Sequence, residues 1–205
     1  MSCGPSTIDT PVGTLLVGVG VDGAVRVDWT GAREPRRMTS AVRRAAGRTR
    51  GPASAGQAIH TDTRASAALA ASIRRWIGGD ARALRDAPLP RGTLWQLACW
   101  RAARRIPHGQ TRTYLWLARE ACRELGRPSS AAPALARAAG QAMRRNPAPI
   151  VVPCHRVVSA SGLGGYAGDD DPRSRWLARK RWLLEIESQR MCDPVDSAAR
   201  RAAGT

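Results

Sequence analysis

Apolar and polar residues alternate in two stretches near the start of the chain. The first is VGTLLVGVG over residues 12–20 and the second is AVRVDW over residues 24–29. Alternation with a period of two is typical of strands that bury one face. Asp22-Gly23, which lies between the two stretches, is a frequent two-residue turn. The pattern therefore predicts a β-hairpin.

Further along the chain the apolar residues recur every three or four positions, which is the spacing of helices that bury one face. The first such segment is residues 62–77, where Asp62 can cap the start and Gly78 can end the helix. Four more segments have the same spacing: residues 93–105, 112–125, 134–145 and 173–188. The apolar run Ile150-Val151-Val152 is strand-like and ends at Pro153.

Breaks in this pattern divide the chain. Residues 31–60 are rich in Arg, Ala, Gly, Ser and Pro without a clear period, which indicates a long basic loop. Pro88 and Pro90 mark a linker. The expected fold class is α+β, with a small β-hairpin or sheet followed by helices. The predicted units are an N-terminal α/β domain over residues 1–89, a mostly helical domain over residues 90–190 and a disordered tail over residues 191–205.

Composition indicates a globular protein with an unusually high positive charge. Apolar residues make up 43% of the 205 residues and charged residues 24%, which is typical of a folded chain. No apolar run approaches the roughly 20 residues of a membrane span. The net charge is +17 and concentrates in residues 33–50 and 101–145. Such a charge favours a polyanionic partner, DNA or RNA before an acidic membrane.

The cysteines and the N-terminus bear on the compartment. The chain has five cysteines, an odd number, with wide spacings and no Cys/His cluster of metal-ligand type. This argues against a disulfide framework and against a zinc module. The N-terminal sequence MSCGPSTIDT also lacks the basic and apolar segments of a secretion signal. We therefore expect free thiols in a reducing, cytoplasmic compartment, and no bound metal.

Residues 153–158, which read PCHRVV, are the strongest candidate for chemistry. A thiol becomes a good nucleophile as a thiolate, and nearby basic or cationic groups favour that form. Cys154 is followed directly by His155 and Arg156. Cysteine is also among the most often buried residue types, so a structural role is the competing interpretation. The flanking residues favour a nucleophile, activated through a bridging water or by a more distant base.

Further motifs in a fixed order accompany PCHRVV. They are IPHGQT at residues 106–111 with Tyr114, RAAG at 137–140, Asn146-Pro147, the glycine-rich loop 162–168, and WLL at 182–184 leading to Glu187. Together they resemble the motifs of the O6-alkylguanine-DNA alkyltransferases, the methylated-DNA–protein-cysteine methyltransferases. The resemblance is close over about half of the chain, and the hairpin sequence is similar to the family's N-terminal domain.

The resemblance implies a ribonuclease-H-like N-terminal domain, a C-terminal domain with a helix-turn-helix, and a DNA repair activity. Members of the family flip an alkylated guanine out of duplex DNA and transfer its alkyl group irreversibly to their own cysteine. The implied acceptor is Cys154, with His155 as the base through a water and Glu187 holding that histidine. Tyr114 is expected to assist protonation of the leaving guanine, and Asn146 to brace the backbone.

A DNA face and a substrate pocket are also implied. Arg137 matches the family's arginine finger, which fills the gap left by the flipped base. The other expected DNA contacts are Ala136, Ala138, Gly140, Arg144 and Arg156. The expected pocket residues are Met143, Pro149, Val157, Tyr166, Ala167, Gly168 and Lys180. The implied partner is double-stranded DNA containing O6-alkylguanine, bound by a monomer without a cofactor and without membrane contact.

Two segments depart from the family pattern. The connection over residues 123–135 is longer than usual, and residues 169–172 read DDDP after the glycine-rich loop. Lys180 falls at the family's lysine position, although a solvated helix face is an equal interpretation. Three other functions stay open: a lesion-binding relative without transfer, a Cys-His hydrolase on another fold, and a plain helix-turn-helix protein. The first usually lacks the acceptor cysteine, and the third leaves PCHRVV unexplained. We expect a nucleoid-associated protein of a prokaryote.

Overall fold

The computed structural model describes residues 5–30, 62–169 and 171–189. Over these residues the chain forms a three-stranded antiparallel sheet, five α-helices and one short pair of parallel strands. The fold is therefore mixed α+β, as predicted. The predicted basic loop at 31–60 and the predicted tail at 191–205 lie outside the described residues.

The N-terminal sheet contains the predicted hairpin and one further strand. Its strands are β1 (Ser6–Thr10), β2 (Gly13–Val19) and β3 (Val25–Trp29), paired in that order. Gly23 in the β2–β3 turn has a φ of 75°, a conformation that favours glycine. The alternation pattern did not predict β1, because Ile8 is its one apolar residue. That residue pairs with Leu15 of β2, and both side chains are buried.

Helix α1 (Thr63–Ile77) covers one face of this sheet. Asp62 caps its start, since its carboxylate accepts a hydrogen bond from the Ala65 N–H at 2.9 Å. Ser66 joins the helix to the sheet by accepting a hydrogen bond from the backbone N–H of Val19. Trp76 near the end of α1 is 2% exposed. The helix thus carries a large aromatic side chain from the N-terminal part into the interior of the molecule.

The remaining helices begin and end within two residues of their predicted bounds. They are α2 (Leu94–Arg104), α3 (Tyr114–Glu124), α4 (Ala132–Arg144) and α5 (Arg175–Gln189). A short 3-10 helix, Ser129–Ala131, occupies the long connection between α3 and α4. Strand β4 (Arg112–Thr113) pairs in parallel with β5 (Val157–Val158). In the described part of the chain, no helix has both the length and the apolar character of a membrane span.

Buried apolar side chains form two clusters. One lies among α2, α3 and α4 and includes Val152 and Cys154. The other lies between the N-terminal sheet and α1 and includes Ile150, Val151 and Leu183. The chain therefore passes from one cluster to the other between Val151 and Val152, two residues before Cys154. This crossing places the candidate nucleophile at the junction of the two halves of the molecule.

The predicted strand over Ile150-Val151-Val152 is wrong. Ile150 has a φ of 76°, a left-handed conformation that costs a non-glycine residue about 1–2 kcal/mol. The resulting turn lets the adjacent residues Ile150 and Val151 enter the same cluster, which the alternating side chains of a straight strand would not allow. All three side chains are buried, so apolar burial offsets the backbone strain. An apolar run signals burial here, whereas its backbone shape is decided by the two clusters around it.

Candidate active site

Cys154 begins a 3-10 turn, Cys154–Arg156, that follows Pro153. The chain continues into β5, whose pairing with β4 brings the start of α3 beside this turn. Cys154 is 8% exposed, and its Sγ lies 3.6 Å from the hydroxyl oxygen of Tyr166. Burial raises the pKa of the thiol, while hydrogen bonds from Tyr166 and Asn146 and the charge of Lys180 act in the opposite direction. The site therefore holds groups that stabilise a thiolate inside an apolar cluster.

His155 and Arg156 turn inward onto one carboxylate, that of Glu187 in α5. His155 Nε2 lies 2.9 Å from Glu187 Oε1, and the Gly109 backbone N–H donates to Oε2 at 3.0 Å. The Arg156 Nε donates to both oxygens at 3.0 and 3.1 Å, and its Nη2 donates to Oε1 at 2.8 Å. Burial alone would raise the pKa of Glu187, but His155 and Arg156 outweigh it and lower that pKa to about 2. This carboxylate is therefore ionised across the physiological range.

The imidazole of His155 is oriented for use as a base. Burial lowers its pKa, although Glu187 opposes that effect, so the ring is neutral near pH 7. Nε2 is engaged by the carboxylate, and Nδ1 has no hydrogen-bond partner among the described residues. The edge of Trp76 packs against the ring at 5.9 Å between centroids. Glu187 and Trp76 thus fix the ring while leaving one nitrogen available.

The prediction that Arg156 contacts DNA is wrong. The residue is 7% exposed, and besides Glu187 its guanidinium donates to the Ile106 carbonyl at 2.7 Å through Nη1. A buried carboxylate needs a cation and donors nearby, and Arg156 supplies both. The sequence shows a basic residue next to a histidine, but it does not show that the turn directs both side chains into the protein.

Asn146 and Lys180 hold the backbone around Cys154. Asn146 donates to the Val152 carbonyl at 3.0 Å and accepts from the Ala148 N–H at 3.0 Å, which braces the turn at Ile150. Lys180 is fully buried, so the interpretation as a solvated helix face is wrong. Its ammonium donates to the carbonyls of Val157 in β5 and of Leu163 and Gly165 in the glycine-rich loop. Because an ammonium has three protons, Lys180 supports the pocket loop and retains no donor for a ligand.

The other predicted pocket residues lie around the thiol in different degrees of burial. Met143, Val157 and Tyr166 are buried in the same cluster as Cys154, and half-buried Ala167 packs against that cluster. Pro149 is half-buried, and Gly168 is exposed. Among the described residues no group of three or more His, Cys, Asp or Glu side chains could hold a metal ion. The surroundings of Cys154 are therefore mainly apolar, and the polar groups that act on its thiol include the Tyr166 hydroxyl, the Asn146 amide and the Lys180 ammonium.

Helix α4 presents the remaining predicted DNA contacts. Arg137 is exposed, while Ala136 and Ala138 are half-buried. Arg144 is exposed as well, and its guanidinium lies against Gly168 of the glycine-rich loop. Gly140 faces inward, because a Cβ placed there would lie 3.8 Å from the Tyr114 ring. Burial raises the pKa of Tyr114 to about 12, and the nearby Cys154 adds to this effect.

Comparison with known proteins places this geometry in a family. The family model described as "6-O-methylguanine DNA methyltransferase, DNA binding domain" matches residues 94–189. A "Methylated-DNA--protein-cysteine methyltransferase" of Mycobacterium bovis is 45% identical over 101 residues, which cover 49% of this chain and 52% of that protein. This match spans about half the length of that curated relative. The crystal structure of Mycobacterium tuberculosis O6-methylguanine methyltransferase is 30% identical, covers 91% of this chain and 93% of its own, and has a TM-score of 0.57.

The chain belongs to the O6-methylguanine DNA methyltransferase family. The similarity extends over both halves of the fold, since the Mycobacterium tuberculosis structure also covers the N-terminal sheet. A second structure, of Mycobacterium tuberculosis OGT in complex with DNA, is 28% identical with a TM-score of 0.54 over 90% of this chain.

Three residues near the site were not predicted from the sequence: Trp76, His108 and Gly109, which contact His155 or Glu187. Trp76 contacts both His155 and His108, each at 5.9 Å between ring centroids, although it comes from α1. His108 Nδ1 lies 3.8 Å from Glu187 Oε1. Gly109 donates to Glu187 through its backbone N–H, and a backbone donor cannot be recognised from the residue type. The spacing of apolar residues predicts a helix over residues 62–77, but nothing in the sequence indicates that Trp76 at its end reaches the active site.

Proposed function

We propose that this protein repairs DNA by transferring the alkyl group of O6-alkylguanine, mainly O6-methylguanine, to its own Cys154. The observation that carries the proposal is the arrangement of Cys154 directly before His155, whose Nε2 is held at 2.9 Å by the buried Glu187 carboxylate. A nucleophile, a base and a group that orients the base are the parts that nucleophilic catalysis needs. Membership in the family supplies the substrate class.

The reaction begins at the thiol. Its proton moves through a bridging water to Nδ1 of His155, the ring nitrogen that Glu187 does not occupy. The thiolate attacks the alkyl carbon, so that the S–C bond forms and the C–O6 bond breaks with its electron pair on O6. Tyr114 helps deliver a proton to the guanine ring, which leaves as neutral guanine. Once Tyr114 and His155 have returned to their starting states, the net change has moved the thiol proton to guanine.

The thioether formed on Cys154 is stable, so each molecule reacts once. This single turnover sets modest demands on the site, because no step has to regenerate the thiol. The needs are a thiolate, a base and an apolar pocket for the flipped base. Met143, Pro149, Val157, Tyr166, Ala167 and Gly168 form that pocket, and Lys180 holds its loop from behind. No cofactor takes part in the proposed chemistry.

Duplex DNA binds through the α3–α4 pair, which acts as a helix-turn-helix with a 3-10 helix in its connection. Arg137 enters the base stack where the alkylated nucleotide has left, because its guanidinium is exposed and has no ion pair in the described structure. The small residues Ala136 and Ala138 allow the helix to approach the groove closely. Arg144 contacts DNA at the edge of the glycine-rich loop.

The same proposal covers the organisation of the protein. Residues 1–89 contain a ribonuclease-H-like α/β domain, and residues 90–190 contain the DNA-binding and transfer domain. Apolar packing of Ile150 and Val151 against the N-terminal sheet supports a structural role for the first domain in positioning the Cys154 turn. The protein acts as a cytoplasmic monomer of a prokaryote.

Mass spectrometry tests the proposal directly. The full chain is incubated with a duplex that carries one O6-methylguanine, and intact and peptide masses are recorded. The expected result is one methyl group on the Cys154 peptide and loss of the lesion from the DNA. The Cys154→Ser variant should not be methylated. Cys99→Ala is the matched control, since Cys99 is also buried and burial raises its thiol pKa to about 12.

The alternative function is lesion binding without transfer. It predicts preferential binding of the O6-methylguanine duplex with no methyl group on any cysteine. If the chain neither reacts with the lesion nor prefers it over guanine, both functions are rejected. Methylation of Cys99 or another cysteine in place of Cys154 would reject the assignment of the acceptor.

A further inference from the structure

A cleft of about 320 Å³ is lined by His108 and Arg156, the side chains next to Glu187, and Cys154 is not among its lining residues. Its fourteen lining residues come from the end of α1 and the turn after it, from the end of α2 and the residues that follow it, and from the segment on both sides of Cys154. None of the fourteen is acidic. Six are basic: Arg82, Arg85, Arg104, Arg105, His108 and Arg156. A cleft lined by charges of one sign concentrates ions of the opposite sign.

Not all of these cations are neutralised within the protein. Arg156 is paired with Glu187, and Arg105 is paired with Glu120 and Glu124 at 3.4 and 3.2 Å. Arg104 differs, because its guanidinium donates to the neutral carbonyls of Leu84, Arg85 and Ala87, with Asp86 as a more distant charge. Arg82 and Arg85 are exposed, and neither forms an ion pair within the described residues. Three guanidinium groups therefore face the cleft without a directly bound carboxylate.

The chemistry of these groups defines the ligand. Guanidinium groups present paired N–H donors that match the oxygens of phosphate. The lining also includes the apolar residues Leu84, Ile150 and Val151, which can contact a body attached to the phosphate. We propose that this cleft is a phosphate-binding site, in which Arg82 and Arg85 bind the phosphate group of a small phosphate ester or of a DNA backbone.

The NMR signals of the His108 ring can report whether the cleft is occupied. The chain has three histidines, and His108 is the one that lines the cleft, whereas His155 is buried beside it. The full chain with isotope-labelled histidine is titrated with sodium phosphate at constant pH, against sodium chloride at equal ionic strength. The expected result is a saturable shift of the His108 ring signals with phosphate and a smaller, non-saturable change with chloride.

Two variants test the assigned ligands. Arg82→Gln and Arg85→Gln should each weaken phosphate binding about tenfold, because each removes a charged hydrogen-bond donor. Arg64→Gln is the matched control: this arginine is exposed on α1 but does not line the cleft, so binding should be unchanged. Both tested side chains are exposed, and equal melting temperatures show that the variants are folded.

Two further titrations, one with dGMP and one with an undamaged duplex, distinguish a small phosphate ester from the DNA backbone as the ligand. If dGMP saturates the His108 shift and an undamaged duplex does not compete with it, the ligand is a small phosphate ester. If the duplex displaces phosphate in the wild type and fails to do so in the double Arg82→Gln/Arg85→Gln variant, the ligand is the DNA backbone. Absence of a saturable shift, an equal effect of chloride, or unchanged affinity in both variants would overturn the proposal. None of these readouts depends on methyl transfer.

Discussion

Arg156 and Arg137 are the same residue type in an arginine-rich chain, yet they lie in opposite environments. Arg156 is 7% exposed, and its guanidinium donates hydrogen bonds to the Glu187 carboxylate and to the Ile106 carbonyl. Arg137 is exposed on α4, with no ion pair in the described part of the protein. A buried guanidinium stabilises the carboxylate that faces it, whereas an exposed one remains available to an external anion. The guanidinium group therefore has a structural role in the turn Cys154–Arg156, whereas on the exposed face of α4 it is available for binding.

The largest difference between the two regions is expected for the free energy of unfolding of arginine variants. Arg156→Met leaves the buried Glu187 carboxylate without its main cation, so it should lower the stability by about 3–5 kcal/mol. Arg137→Met removes an exposed charge and should change it by less than about 0.5 kcal/mol. Urea unfolding at pH 7 measures both. Similar losses in the two variants would contradict the distinction between the regions.

The second-largest effect is expected when acid protonates the buried Glu187 carboxylate. The pKa of Glu187 is lowered from 4.5 to about 2, so its contribution to stability is complete above pH 4.5 and is lost as the pH falls through about 2. This difference corresponds to about 3 kcal/mol. When urea unfolding is repeated at decreasing pH, the stability gap between the wild type and Glu187→Gln should therefore stay constant above pH 4.5 and shrink below it. A gap that is independent of pH would show that the carboxylate charge is not what stabilises the cluster.

A smaller effect is expected at the brace of the Cys154 turn. Asn146→Ala removes the donor to Val152 and the acceptor for Ala148, both at 3.0 Å, and should cost about 1–3 kcal/mol of unfolding free energy. Asn146→Asp keeps the acceptor but places a carboxylate oxygen against the Val152 carbonyl, so its loss should be at least as large as that of Asn146→Ala. If Asn146→Ala is as stable as the wild type, the strained turn at Ile150 is held by apolar packing alone.

The smallest effect on stability, and a large effect on function, is expected at Arg137. Arg137→Ala should unfold like the wild type, but it should slow methyl transfer from a duplex by at least about tenfold, since only a duplex requires base flipping. Transfer from free O6-methylguanine should change little. Arg145→Ala is the control, because it removes another exposed arginine at the end of α4. Equal losses on duplex and free base, or equal losses in both variants, would contradict the finger role.

Local sequence patterns determined the elements of this protein. The hairpin follows from alternation around Asp22-Gly23, and all five helices follow from apolar spacing with breaks at glycine and proline, because these signals act over a few residues. PCHRVV and the motifs that accompany it carried the family assignment, and they named Cys154, His155 and Glu187 together. Strand β1 was missed because five residues with one apolar position carry too little pattern.

Tertiary structure decided the shape and surroundings of the reactive turn. Ile150 became a left-handed corner because two apolar clusters compete for its neighbours, and Arg156 turned away from the surface because Glu187, 31 residues further on, needs a cation. Lys180 became buried because three backbone carbonyls accept hydrogen bonds from its ammonium. Trp76 reached the histidines across the junction of the two halves. Such contacts depend on which distant segments pack together, and residue spacing along the chain does not record that.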